Sequence, residues 1–378
     1  MAHYKMSDVV IEVKDKENSP STSKYERFVG LEHYVSGDVE ISQYGKTDSL
    51  ESAMKVFQAG DILVARRNVY LRRASRVSFE GLTSGDSIVL RASDEVMARI
   101  LPFVLNTDAF WNYADQHSDG TMSKRLSPKL LLDYEFDLPD EGLEDFADLL
   151  WAVNDTRNSY RALLLKTDEM VKSQFIEMFG DISTEDYKPL GEVCTLITDG
   201  THNPPKFVDS GIPFILVSNI TGNVVTYDTP KFITEESYEI LMKRTPIEVG
   251  DVLLSTVGSY GHPAVVTEER KFAFQRHVAH LKPNRDILDS RFLHAAILSA
   301  DVQNQIDILV LGVAQKTLNL SAIKQIRIPL PVMNRQKEFI AFVEQSDKSK
   351  FAGSNRNLSS CFINVDIRNL NSKMYAQK

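Results

Sequence analysis

Residues 140–180 read DEGLEDFADLLWAVNDTRNSYRALLLKTDEMVKSQFIEMFG. Pro139 closes the segment before them, and Asp140 stands where an N-cap carboxylate belongs. Glu141, Glu144 and Asp145 place negative charge near the positive end of the helix dipole. Gly180 follows Phe179 where a helix commonly ends on a left-handed residue. Between these ends Phe146, Leu150, Val153, Arg157, Tyr160, Leu164, Thr167, Val171, Gln174 and Met178 recur at alternating steps of four and three, and seven of the ten are apolar. A period of about 3.5 residues is a coiled-coil seam. A helix over the whole stretch would span roughly 55–60 Å, too long for an ordinary connector and long enough to hold two domains apart. The alternative is a core helix of one large domain. The narrow apolar stripe and the charged remaining faces argue against it.

Composition sets the frame around this rod. A chain of 378 residues with 43% hydrophobic and 25% charged content suits a soluble protein of two or three domains. Cys194 and Cys361 lie far apart without metal-type spacing, so neither a disulfide framework nor a zinc site is expected. The start Met1-Ala2-His3-Tyr4-Lys5 lacks an apolar signal core, and the longest apolar run, Ile308 to Ala314, is far too short to cross a bilayer. A cytoplasmic protein without a membrane segment is expected. The net charge of −9 is unevenly spread. Residues 140–180 hold nine acids and four bases, a net −5, whereas 61–76 holds Arg66, Arg67, Arg72, Arg73 and Arg76 against Asp61. Because salt screens charges beyond about 10 Å, the local basic patch outweighs the sum.

The segments on either side of the rod repeat one order of features. Val9–Val13 reads as a strand, Gly60-Asp61-Ile62-Leu63-Val64 as a turn entering a strand, and Asp86-Ser87-Ile88-Val89-Leu90 as another strand. Residues 94–117 carry helical periodicity, and a Gly120 loop, Lys124-Arg125 and the exit Phe136-Asp137-Leu138-Pro139 follow. In the second half Tyr187-Lys188 answers Tyr4-Lys5, Gly250-Asp251-Val252-Leu253 answers Gly60-Asp61-Ile62-Leu63, Gly312, Lys316 and Leu318 answer Gly120, Lys124 and Leu126, and Leu330-Pro331 answers Leu138-Pro139. The offsets are 183, 190, 192 and 192 residues, small drifts that loops absorb. A helix at 289–307 matches 94–117. The pattern indicates an ancient duplication and an α+β fold: two similar domains of mixed or antiparallel sheet plus helices, 1–139 and 181–333, separated by the helical spacer 140–180. A second helical segment starts at 334–350. Residues 351–378, rich in Asn and Ser, have no sustained period and read as an irregular tail.

Catalytic motifs do not assemble. Asn203-Pro204-Pro205 invites comparison with the loop of amino-group DNA methyltransferases, but Lys206 follows it and Phe207 comes one place late. With no glycine-rich strand-to-helix turn before it, an ordinary proline turn is expected. Asp186-Tyr187-Lys188 has no partner carboxylate at nuclease spacing, and strand alternation puts His277 and His280 on opposite faces. No phosphate-binding loop and no nucleophile elbow occur. No catalytic residue, cofactor or metal is expected.

Polar and basic loops carry the stronger signal. Arg66-Arg67 leave a strand, and Arg72, Arg73 and Arg76 follow with Asn68 and Tyr70 between them. Arginine's planar fork suits phosphate oxygens and the acceptor edge of guanine, and Asn or Gln can read adenine. Lys124 and Arg125 extend this set. The matching loop of the second half, Ser255-Thr256-Val257-Gly258-Ser259-Tyr260-Gly261-His262, is chemically different, and Arg276, Gln315 and Lys316 add polar reach there. His202 and Lys206 either face DNA or simply finish their loop. Candidate DNA-binding residues are therefore Arg66, Arg67, Asn68, Tyr70, Arg72, Arg73, Arg76, Lys124, Arg125, His202, Lys206, Ser259, Tyr260, His262, Arg276, Gln315 and Lys316.

This ordered duplication resembles the DNA-specificity (S) subunit family of type I restriction–modification systems. The features that carry the likeness are Phe28-Val29-Gly30-Leu31-Glu32-His33, Gly60-Asp61-Ile62-Leu63 with its arginine loop, Ser84-Gly85-Asp86, Asp199-Gly200-Thr201-His202, Gly250-Asp251-Val252-Leu253, Gly312 to Leu318 and the two Leu-Pro exits. They cover about residues 4–350. The resemblance implies two target recognition domains, each reading half of a split double-stranded DNA target, and a chain that is itself not catalytic. It also implies partners: two copies of a methyltransferase subunit and, in the restricting complex, a translocating nuclease subunit. Phe146, Leu150, Val153, Tyr160, Leu164, Val171 and Met178 form the expected partner-binding seam. The sequence departs from the family where the second helical pattern stops near Lys350, which leaves part of the first seam for those subunits or a second copy to cover. The alternatives from other classes are a stand-alone DNA methyltransferase or nuclease, and a scaffold that does not touch DNA.

Overall fold

The computed structural model of the chain describes residues 1–120, 124–183, 186–312 and 316–353, with side chains through Asp347. Met1–Arg161 and Ala162–Gly353 each form a compact unit.

In the first unit a four-stranded antiparallel sheet runs in the order Val10–Val13, Ser87–Ala92, Ile62–Ala65, Ala74–Arg76. The second unit has the same sheet as Cys194–Asp199, Val278–Pro283, Val252–Ser255, Pro263–Val265. Even the register repeats. Ser87 faces Ala65 and Leu90 faces Ile62, while Val278 faces Ser255 and Leu281 faces Val252. A second sheet repeats as well: Arg27–Val29 lies parallel to Gly81–Thr83 and antiparallel to Gly45–Lys46, as Ile212–Ile215 does to Ala273–Phe274 and Phe232–Ile233. A two-stranded ribbon closes each unit, Ala2–Lys5 with Glu135–Leu138 and Tyr187–Pro189 with Arg327–Pro329. The α+β duplication expected from the sequence offsets is this fold.

Alternation along the strands explains the two layers. Ile62, Val64, Ile88 and Leu90 point to a core shared with helices, while Leu63, Ala65 and Val89 point to a second core beneath the other sheet. Val252, Leu254, Ala279 and Leu281 pack with helices in the second unit, and Leu253 and Val278 face the other side. Side chains two apart share a face, so a strand buried on both faces reads as a continuous apolar run.

Three expectations about helices change. The single helix at 94–117 is two, Glu95–Val104 and Asp108–His117, because the Thr107 hydroxyl accepts from Phe110 N at 3.2 Å and starts a new one. Likewise Ser290–Leu298 and Ala300–Leu309 divide at Ser299, whose hydroxyl accepts from Val302 N. The long helix runs from Leu143 to Phe179, not from Asp140. Gly142 at φ +72 precedes it, and Asp140 instead meets the Met1 amino group at 2.5 Å. Gly180 is not left-handed; a Cβ there would lie 2.6 Å from the Ile176 carbonyl oxygen, so close approach demands the glycine. The second long helix is Met333–Gly353; the expected irregular tail beyond it lies outside the described residues.

The long helix is claimed at each end by the unit it belongs to. Phe146 and Leu150 are buried in the first core, with Trp151 Nε1 donating to the Arg99 carbonyl at 3.0 Å. One turn further, Arg157 and Arg161 reach Asp38 at 3.4 and 2.7 Å. In the second unit Phe175 and Phe179 pack among Phe292 and Phe339, with Val171 and Met178 against the same core. So Phe146, Leu150, Val171 and Met178 of the expected partner seam serve their own units, whereas Leu163, Leu165, Met170 and Ile176 are exposed.

Candidate nucleic-acid interface

Loops at one end of the four-stranded sheet gather most of the candidate residues of the first unit. The strand Ile62–Ala65 delivers Arg66 and Arg67 there, and Asp86 stands just before Ser87–Ala92. Backbone bonds stitch in the third loop: Arg66 N donates to Asp86 O at 2.8 Å, Leu126 N to Arg66 O at 2.9 Å, and Asn68 N to Lys124 O at 3.1 Å. Asn68 takes φ 56, a left-handed value that Asn tolerates better than most residues. Asp86 Oδ1 lies 2.9 Å from Arg67 Nε and 2.8 Å from Arg125 Nη2. Tyr70 is exposed.

The five arginines of 61–76 are not one patch. Arg76 pairs across the sheet with Ile62, at the opposite end, and its guanidinium meets Glu95 at 2.7 Å. Arg72 is spent on Asp108. Arg73 donates to the Leu31 and Arg67 carbonyls at 3.1 and 3.0 Å, bracing the loop from beneath, and burial pushes its pKa down. Arg66 Nε donates to Leu126 O at 3.1 Å, and Lys124 is held by Asp115 at 2.8 Å. Asp86 and the half-buried Lys55, whose Nζ donates to Ser87 O at 2.8 Å, belong to this end and were not expected from sequence. A carboxylate ahead of a strand gave no signal; only its distance to two remote arginines does.

The second unit builds the same end with different chemistry. Gly258 N donates to Lys316 O at 3.2 Å, Leu318 N to Thr256 O at 2.8 Å, and Thr256 N to His277 O at 3.0 Å, matching the three bonds of the first unit. Gly258, at φ +74, takes the place of Asn68. Tyr260 OH donates to Asp307 at 2.8 Å, with Lys316 Nζ over its ring at 5.8 Å, and Ser259 is exposed. Gly200 N bonds Val278 O and Arg276 N bonds Thr201 O, so His202 and Arg276 join the same end. Asp199 holds both His202, at 2.7 Å, and Arg244, at 2.6 Å; Arg244 too was not expected. Burial pushes the His277 pKa down, helped by Arg276 and His202. His262 Nδ1 instead lies 3.2 Å from Asn223 Oδ1, and Gln315 lies outside the described residues.

Other motifs settle into structure. Phe207 packs its ring on Phe214 at 5.2 Å under Lys231, which keeps it from stacking on a flipped base, while Lys206 is exposed. His280 is fully buried within the strand Val278–Pro283, and His277 lies one residue before that strand. Among the described residues, no three of His, Cys, Asp and Glu are grouped to hold a metal ion, and no helix is long and apolar enough to cross a membrane.

Comparison with known proteins points one way. A family profile described as the type I restriction modification DNA specificity domain matches residues 183–358. The specificity subunit of the type I restriction enzyme EcoBI from Escherichia coli is 31% identical over 146 residues, 39% of this chain and 31% of that protein. Residues 183–358 thus match the type I restriction modification DNA specificity domain family. The chain spans about a third of the length of that curated relative. Among solved structures of the family, the type I S subunit from M. genitalium covers 98% of this chain and 94% of its own at 13% identity and a TM-score of 0.50, a likeness of fold. An HsdS subunit from Thermoanaerobacter tengcongensis covers the same shares at 18% identity and a TM-score of 0.36.

Proposed function

We propose that this chain gives a type I restriction–modification complex its DNA sequence specificity. Residues 1–139 and 181–333 act as two target recognition domains, each reading one half of a bipartite duplex target from the loop end of its four-stranded sheet. The observation that supports this most directly is the contrast between the two units: one strand order and register, two loop chemistries. Two different half-sites need that combination. Phosphate contacts set the position of each unit, and loop side chains read base edges in the groove. The helix Leu143–Phe179 sets the gap between half-sites, and its exposed Leu163, Leu165, Met170 and Ile176 are the surface on which two methyltransferase subunits dock. A translocating nuclease subunit joins them in the restricting complex. The chain acts in the cytoplasm and performs no chemistry of its own.

Two measurements test this. Binding to duplex DNA should weaken steeply with salt, as phosphate contacts release counterions; salt-insensitive or absent binding would leave only a scaffold. Methyl transfer by the purified chain alone would make it a stand-alone enzyme instead.

A further inference from the structure

We infer that the first unit reads a guanine, through the guanidinium of Arg67 braced by Asp86. This rests on the duplex-DNA function proposed above and adds the base.

Most of the basic groups at this end are committed to the protein. Arg66 and Arg73 donate to backbone carbonyls, and Lys124 is held by Asp115. Arg67 differs. Its Nε lies 2.9 Å from Asp86 Oδ1, the side chain is half exposed, and its terminal Nη1 and Nη2 make no hydrogen bond among the described residues. Arg125 approaches the same oxygen through Nη2, so one of its terminal donors is already used. Arg67 therefore keeps the whole terminal fork.

That fork is also held before any ligand arrives. The backbone bonds of Arg66 and Asn68 fix the loop on either side, and the Arg67 carbonyl accepts from Arg73 Nη2 at 3.0 Å. With the guanidinium held by its ion pair to Asp86, less side-chain freedom is lost on binding. A pair of parallel N–H donors fits two adjacent acceptors. Guanine offers O6 and N7 in the major groove, whereas adenine sets its N6 donor against one arm of the fork, cytosine offers a donor, and thymine a single acceptor. Phosphate also accepts an arginine fork. Here the carboxylate beside the fork offsets the pull on a second anion while leaving the donors aimed, so a neutral base edge is the better partner. The second unit has no such device: by register His277 holds the position equivalent to Asp86 and Val257 the position equivalent to Arg67. The guanine belongs to one half-site only.

The test uses the full chain, purified with the subunits that accompany it, and selection from random duplexes. Wild-type protein should select a bipartite sequence with a guanine in one half. Replacing that guanine with 7-deazaguanine, which has a C–H in place of N7, should weaken wild-type binding roughly ten-fold or more. In Arg67→Ala, checked for native unfolding behaviour, the same replacement should change binding by less than about two-fold, since the pair is already broken. Arg67→Lys, which keeps the charge but not the fork, should behave like Arg67→Ala. Asp86→Asn should bind all duplexes more tightly yet discriminate guanine less. An equal 7-deazaguanine penalty in wild type and Arg67→Ala, or no guanine in either half, overturns the inference while bipartite selection still upholds the proposed function. Selection of no duplex at all overturns both.

Discussion

Asp251 Oδ2 and His280 Nε2 meet at 2.7 Å with neither side chain exposed. The same carboxylate accepts from Glu248 N at 2.9 Å, with Arg285 and Lys282 at 3.5 and 3.6 Å. In the first unit Asp61 accepts from Gln58 N at 2.9 Å and from Arg91 at 2.8 and 2.9 Å. Each Gly-Asp pair thus ties a turn to the strand beside it. Removing one partner of a buried pair costs about 3–5 kcal/mol, so Asp251→Ala should lose that much in urea unfolding of the chain. His280→Val, which installs the residue found at Val89, should cost only about 1–2 kcal/mol because Lys282 and Arg285 remain. Equal losses would show that the histidine, not the network, carries the site.

The sheet end of the second unit should respond to acid through His277. Burial holds its pKa below 6.5 in the fold, with Arg276 and His202 acting the same way. The unfolded chain then binds more protons at this residue, so its contribution is intact above pH 6.5 and is lost as pH falls through the lower folded value. The urea midpoint should drop as pH is lowered from about 7.5 to about 5.5, and His277→Gln should remove part of the drop. A pH profile identical in the variant contradicts this.

Gly200 explains why the Asp199-Gly200-Thr201-His202 loop has a glycine. A Cβ there would lie 2.2 Å from the Phe274 carbonyl oxygen and 2.4 Å from that of Gln275. Gly200→Ala should cost about 1–3 kcal/mol by overpacking. It should also displace His202 and Arg276, weakening recognition at one half-site. Thermal unfolding and duplex selection check the two parts; unchanged stability would mean that the strand yields freely.

Sequence made some of this legible and not the rest. The seam from Phe146 to Met178 revealed the long helix, and the Gly-Asp and Leu-Pro repeats revealed the duplicated sheet, because periodicity and turn chemistry are local. The helix starts and breaks were misplaced where one residue decided: Gly142 rather than Asp140, and Thr107 and Ser299 as caps inside apparently unbroken periods. The second sheets, built from strands of two to four residues such as Gly45–Lys46, are too short to show alternation. The arginine cluster misled because a run of charge says nothing of its counter-charges. Glu95, Asp108 and Asp86 come from other elements and divide five arginines among separate tasks. Polar seam positions were also opaque: Arg157 fits no apolar stripe, yet with Arg161 it fastens the helix to Asp38.

That fastening bears on spacing. If the long helix sets the gap, deleting one heptad within 150–170 shortens it by roughly 10 Å, equivalent to about three base pairs. The selected gap should shorten accordingly. Asp38→Ala, which removes the ion pairs of Arg157 and Arg161 without changing length, should leave the mean gap in place and broaden its distribution. A gap unchanged by the deletion removes the helix as the ruler.

The most direct test of two readers with separate chemistries is methylome sequencing of cells carrying wild-type chain, Arg67→Ala or Lys316→Ala, against cells lacking it. The expected result is a bipartite motif that needs the chain, with Arg67→Ala relaxing one half and Lys316→Ala the other. A motif without a gap, or both halves lost together in either variant, would contradict it.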